Sequence, residues 1–343
     1  VTDDGELHIA EENVIEEHGM TGTWRSFNGE WRPFFRRTVT QVDMDSIPHV
    51  VHLDVPLRYH ARTRDGASLR KETGYLNEAG IERIGLANPG DWQAAWKEAG
   101  VHVLGFIDCS DCWAREVDSF CPDSDTFDDY HLQNGGIKVL DSKRVTIASC
   151  SMEKAQNRGG GGCGYLYEVS RSSDVLFRDC YARAGRHNFI QNWDFGTTGC
   201  VWLRCISSGS RNVLAPFDPV GLPAYCEYHH SLAMANLVDQ CVLRDGWFGG
   251  NRHDWSSGAG ATVTQSVYWN TTGGGKIRSW QTGWGYIIGT DDMSLETGMG
   301  DKAAEATAPE DYVEGEGRAA GLRPVSLYED QLARRLGVRQ IAE

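Results

Sequence analysis

An all-β fold of stacked parallel strands is what this 343-residue sequence predicts, on three observations. A phrase of one apolar residue, two spacers and a Cys recurs as Ile147-Ala-Ser-Cys150, Phe177-Arg-Asp-Cys180, Trp202-Leu-Arg-Cys205 and Val238-Asp-Gln-Cys241, with Val263-Thr-Gln-Ser266 as a fifth copy in which Ser replaces Cys. The copies end 30, 25, 36 and 25 positions apart. The intervening segments are rich in β-branched residues and Gly and lack helical spacing. A period of this length marks supersecondary units that bury their apolar faces only against their neighbours.

Taken in order, residues 1–45 read as an N-terminal cap: Trp24, Phe27, Trp31, Phe34 and Phe35 are expected to pack on the first coil, where an exposed sheet edge must be covered. Residues 46–290 form the coil domain. Val50 to Leu57 is a β run with Pro56 near its end, as strands require, and Ile81–Leu86 and Val101–Ile107 are further strands. Asn88 to Asp91 is a turn, followed by a short helical excursion from Trp92 to Ala99. Cys112 to Phe120 alternates like a strand. The acidic loop from Asp123 to Asp129 reads as a solvated turn; Ca²⁺ is its one candidate ligand, without the Gly and Glu placement of a calcium loop. Gly159 to Gly162 precedes a strand rather than a helix, so it suits a tight turn and not a phosphate cradle. Asn212 to Tyr225, with three prolines, is a loop inserted into one coil. Residues 291–343 form an acidic, Ala-rich tail in which Ser326 and Glu329 make a capping box, Leu332 and Leu336 keep helical spacing and Gly337 ends the helix.

The formal charge of −15 argues against nucleic acid as a partner, although residues 151 to 290 carry a net +2 within it, so an acidic ligand fits that region. No run of eighteen apolar residues spans a membrane. Val1 opens the chain with neither Met nor a charged-then-apolar leader, which reads as a processed or excised segment. Of ten cysteines, Cys150, Cys180, Cys205 and Cys241 hold equivalent positions, which suits a buried ladder of thiols better than disulfides. Cys109-Ser-Asp-Cys112 has no second pair at zinc-site distance, so no metal is expected there. Twelve Trp with abundant Gly and Asn fit a secreted or cell-surface carbohydrate-handling protein. Oligomeric state is not legible.

Between and after the Cys phrases come Asn157-Arg158-Gly159, Arg186-His187-Asn188, His229-His230-Ser231 and Asn251-Arg252-His253-Asp254. Coils stacked at about 4.8 Å are expected to bring these four clusters into one column on one face.

In its repeat and stacked Cys, Val and Ile, the stretch from 50 to 290 resembles the pectate-lyase-like superfamily. The resemblance implies a right-handed parallel β-helix and a polysaccharide or oligosaccharide partner bound along one sheet. Its polygalacturonase Asn-Thr-Asp and Gly-His-Gly signatures and its lyase Arg-x-Pro-x-x-Arg element are absent, so no catalytic residue carries over. The column supplies its own chemistry. β-Elimination from a uronic-acid glycan needs cations or donors at the carboxyl group, which Arg158, Arg186, Arg252, Asn188 and Gln191 suit. It also needs a base, for which His187, His230 and His253 are candidates, and a proton donor, Tyr228 or Tyr165, while His229 and Asp194 are expected to bind substrate. Hydrolysis would instead use paired carboxylates from Asp194, Asp218, Glu227 and Asp254. Trp193 and Trp255 offer flat faces to a sugar. A non-catalytic glycan-binding or filament-forming protein is the third reading.

Overall fold

The computed structural model describes residues 33–58, 61, 67–159, 162–211, 224–252, 255–281, 284–298 and 311–338. The chain is mostly β, with 43% strand against 9% helix. Among the described residues two large sheets dominate, one of thirteen strands and one of eight. The eight-stranded sheet takes His102–Ile107, Gly135–Leu140, Tyr165–Ser170, His187–Gln191, Cys226–Tyr228, Trp247–Gly250, Lys276–Trp280 and Ser294–Glu296 in chain order, every neighbour parallel. Parallel neighbours need a crossover. Here it is made of short strands of the other sheet, such as Thr146–Ala148 and Ser151–Glu153, before the chain returns.

The repeat phrase sits at the bend between those two short strands. Ile147, Phe177, Trp202, Val238 and Tyr268 are in register. Three residues on, Cys150, Cys180, Cys205 and Cys241 therefore align with Thr271, not Ser266. The fifth copy is thus Tyr268-Trp-Asn-Thr271; Val263 and Thr264 belong to a separate short sheet with Ala233–Met234. Register decides this and not the bend, since Gln265 before Ser266 is left-handed as well, at 51°. The residue before each Cys or Thr takes left-handed φ: Ser149 at 53°, Asp179 at 55°, Arg204 at 50°, Gln240 at 53° and Asn270 at 52°. That single left-handed residue turns the chain sharply between strands, so the bend falls before the Cys rather than after it.

Side chains facing inward close the core between the sheets. The four repeat cysteines are 0–2% exposed and unbridged; each thiol reaches the carbonyl of its own first spacer, as Cys150 Sγ does to Ala148 at 3.3 Å. Aromatic rings stack along the repeat: Tyr167 on Phe189 at 4.9 Å and Phe177 on Trp202 at 5.7 Å.

Both ends differ from expectation. Val50–Leu53 pairs antiparallel with Val39–Asp43 in a hairpin of its own, so parallel pairing begins at Leu76 and Gly80 rather than at residue 46. Phe34 and Phe35 pack against Phe195, Leu232, Met234 and Ala261, beside middle repeats instead of the first. Arg36 ties this segment to Asp141 at 2.8 Å, and Arg37 ties it to Asp174 at 3.4 Å. Trp24, Phe27 and Trp31 lie outside the described residues, as does the loop from Asn212 to Pro223. The acidic tail was expected to lack strands, yet Ser294–Glu296 and Tyr312–Glu316 extend the two sheets in parallel.

The helix Leu327–Leu336 is capped by Ser326 and ends at Gly337, with φ 69°. It lies alongside the thirteen-stranded sheet: Asp239 accepts from Ser326 Oγ at 2.7 Å and from the Tyr328 amide at 2.8 Å, while Arg204 pairs with Glu329 at 2.6 Å. Ser326→Ala should cost about 1 kcal/mol, as the loss of a helix cap does; urea unfolding of the variant measures it.

Candidate functional site

The outward face of the eight-stranded sheet carries the polar chemistry. Strand alternation turns Tyr167, Phe189, Cys226, Trp247 and Ile277 into the core, so their successors point away: Glu168, Ile190, Glu227, Phe248 and Arg278 form one row in register. Two residues further along, Ser170, Asn192, His229, Gly250 and Trp280 form the next.

The four expected clusters do not make one column. Arg186, His187 and Asn188 open a strand, whereas His229 and His230 follow the end of the next one and Arg252 lies beyond the end of the one after. His187 and Gln191 are about 13 Å apart along the strand at 3.3 Å per residue, so the clusters fall at opposite rims of the sheet. Long side chains join them. Glu227 is 1% exposed; its Oε2 lies 3.5 Å from His187 Nε2 and its Oε1 accepts from Arg252 Nη1. Arg252 Nη2 donates to Ser256 Oγ at 2.7 Å.

Several expected site residues face the wrong way. Asn188 is fully buried and donates to the Ala182 and Ser208 carbonyls and to Asp245, holding the bend of its own repeat. Gln191 is buried and donates to the His230 carbonyl at 2.7 Å. Tyr228 stands in the core against Trp202 and Trp247, out of reach of any leaving group. Tyr165 is buried too, but among polar groups: it pairs with His187 across strands, and its hydroxyl accepts from Arg186 Nη2 at 3.0 Å. Asp194 meets Arg171 at 3.8 Å and is partly exposed. His253, Asp254 and Asp218 lie outside the described residues, as does the side chain of Trp255.

Glu168, which sequence reasoning passed over, is 2% exposed and the best-partnered carboxylate of the face. His102 Nε2 lies 2.9 Å from it, Lys138 Nζ 3.1 Å, and Asn192 Nδ2 donates at 3.1 Å. Burial pushes this carboxyl up, but these partners outweigh it and hold it at about 2. The signal was a lone acid within Tyr165–Ser170, at a position whose alternation puts it opposite Tyr167 and Val169. Because its folded value is depressed, Glu168 stabilises the chain above the ordinary carboxyl value of 4.5, and that contribution is lost as pH falls from there to about 2. Urea unfolding between pH 6 and 2.5 should show the decline, and Glu168→Gln should flatten it.

The histidines resolve into tautomers by elementary accounting. His230 Nε2 lies 2.7 Å from the Ser256 carbonyl, an acceptor only, so it carries the proton. Burial lowers His230 to about 4, leaving the ring neutral and Nδ1 bare. That Nδ1 meets His229 Nδ1, so the proton between them belongs to His229. Burial, with His230 and Arg186 beside it, pushes His229 well below its usual range. Its Nε2 is then a bare lone pair, on a residue that is partly exposed. His187 is likewise neutral, through burial and Arg186, with Nδ1 donating to the Tyr225 carbonyl at 2.6 Å. Unlike His229, it is only 2% exposed. Trp193, 48% exposed, lies with its ring 4.2 Å from that of His230.

Among the described residues no group of three or more His, Cys, Asp or Glu is arranged to hold a metal ion, and no helix is long and apolar enough to cross a membrane. In the acidic loop, Asp123 caps the helix Ser124–Phe127 and Asp129 pairs with Lys154.

No family model matches the sequence, and no curated protein does. Among solved structures, a trypsin-treated form of QnrB1, a plasmid-mediated fluoroquinolone resistance protein, aligns over 78% of this chain and 100% of its own, at 10% identity and a TM-score of 0.19. So low a score carries no argument about fold or activity.

Proposed function

We propose that the chain is a right-handed parallel β-helix enzyme of the cell surface or exterior that cleaves a polysaccharide by β-elimination along the outward face of its eight-stranded sheet. The observation that carries this reading is the bare Nε2 of His229, a neutral imidazole on a partly exposed residue next to His230, whose own ring meets the exposed Trp193. In the proposed step His229 takes the proton next to the uronate carboxyl group. The electron pair left behind forms the carbon–carbon double bond, the glycosidic C–O bond breaks, and the departing oxygen takes a proton from solvent water. A neutral imidazole is a competent base near pH 7.

Hydrolysis is the second reading, favoured by the shared row of Glu168 and Glu227. Two strand spacings separate them, about 9.6 Å between backbones, close to the upper limit of about 9.5 Å between the carboxyl groups of inverting enzymes. It needs one carboxyl protonated, whereas Glu168 is held as a carboxylate and Glu227 Oε1 is occupied by Arg252. Digestion of uronic and neutral polysaccharides separates the two: ultraviolet absorbance appearing with new reducing ends supports elimination, and reducing ends alone would replace it with hydrolysis. Neither signal would leave glycan binding.

A further inference from the structure

Among the described residues, two of the most deeply buried cations have no counter-ion. Arg158 is 2% exposed and Arg186 3%. Among the described residues neither forms an ion pair. Arg158 Nη2 reaches the Tyr130 hydroxyl at 3.3 Å, while its Nε and Nη1 are buried without an acceptor. Arg186 donates only to neutral oxygens, from Nε to the Cys163 carbonyl at 3.2 Å and from Nη2 to Tyr165. The two are neighbours across Gly164, where a Cβ would lie 2.9 Å from Arg186 Cβ and 3.1 Å from Arg158 Cα. Arg211 adds further positive charge near Arg158.

An unpaired buried ion is among the costliest features a folded chain can carry. It persists where something else supplies the opposite charge. We infer that Arg158 and Arg186, with the hydroxyls of Tyr130 and Tyr165, form a binding site for an oxyanion borne by a sugar, a carboxylate or a sulfate ester. Guanidinium forks match the paired oxygens of both groups. Tyr165 also accepts from the Gly162 amide at 3.2 Å and from Arg186, so its own proton is left to donate to the anion. The site adjoins the imidazoles: Arg186 is close enough for its charge to act on both His187 and His229. Its identification as a uronate subsite rests on the elimination reading, because an anion neutralised there is what makes the neighbouring C–H acidic; the anion site itself does not.

Binding without turnover tests it. Calorimetric titration of the full chain with glucuronate, glucose 6-sulfate and glucose at matched ionic strength should show one charged sugar bound about tenfold or more tighter than glucose. The tighter of the two identifies the anion. Arg158→Gln and Arg186→Gln should each bring that ratio to about one. Should either variant not fold, Arg158→Lys and Arg186→Lys keep the charge and lose the fork, and should weaken the charged sugar selectively. Three sugars bound alike, or a preference untouched by the substitutions, would overturn the site. Anion preference with no unsaturated product from any uronic polymer would keep the site and remove elimination. Unsaturated product without anion preference would do the reverse.

Discussion

His229→Ala should lower the rate of unsaturated-product formation about 10²–10⁴-fold, the usual contribution of a positioned general base, while leaving the unfolding midpoint close to that of the parent. His229 is a partly exposed residue, and its ring packs on the polar rings of His230 and His187 rather than in the apolar core, so little core packing is lost. His187→Ala should behave differently. That ring is buried against Tyr165 and Tyr225, and its removal should appear as lost stability. Initial rates by absorbance together with urea unfolding of both variants distinguish the two roles. Equal rates for His229→Ala and parent would remove His229 as the base.

The largest effect on stability is expected at Trp202. It is fully buried, stacks on Phe177 and meets Tyr228 and Trp247 edge-on at 5.8 and 5.1 Å. Its neighbours Phe177, Tyr228 and Trp247 are themselves large, buried rings, so truncating it leaves a cavity that they cannot fill. Trp202→Ala should cost about 3–5 kcal/mol, measured by guanidinium unfolding. Trp193→Ala, at an exposed ring, should cost far less, about 0.5 kcal/mol or under. A Trp202 variant as stable as the parent would mean that the aromatic stack does not hold the repeats together.

The parallel stacking was legible because equivalent side chains repeat where strands align: the Cys phrase marks register directly, and four of its five copies fall where the sequence puts them. The fifth was misread. Ser266 resembles Cys in size and likewise follows a left-handed residue, Gln265, so neither its type nor the local bend reveals that its strand pairs in another sheet. The N-terminal hairpin was missed for a similar reason, since Val50 to Leu53 reads as a strand whether its partner is parallel or antiparallel.

The candidate site was legible in its residue types and not in its geometry. Arg186, His187, Glu227, His229, His230 and Arg252 do come together, but through side chains crossing a strand from opposite rims rather than through a column. Asn188 and Gln191 show the limit: polar residues at a strand start or end serve the backbone as readily as a ligand, and only their hydrogen-bond partners decide. Glu168 escaped notice because its partners His102, Lys138 and Asn192 come from three separate strands or strand ends. The tautomer of His229 was beyond reach, since it is set by a carbonyl 27 residues away, at Ser256.

The proton on His229 is decisive. Nitrogen-15 NMR of histidine-labelled protein, with His229 assigned by its Ala variant, reads it directly at pH 7. The expected spectrum shows a neutral ring with the proton on Nδ1 and none on Nε2, and His230→Phe should release that preference. A proton on Nε2, or a doubly protonated ring, would contradict the bare base and with it the chemistry proposed for this face.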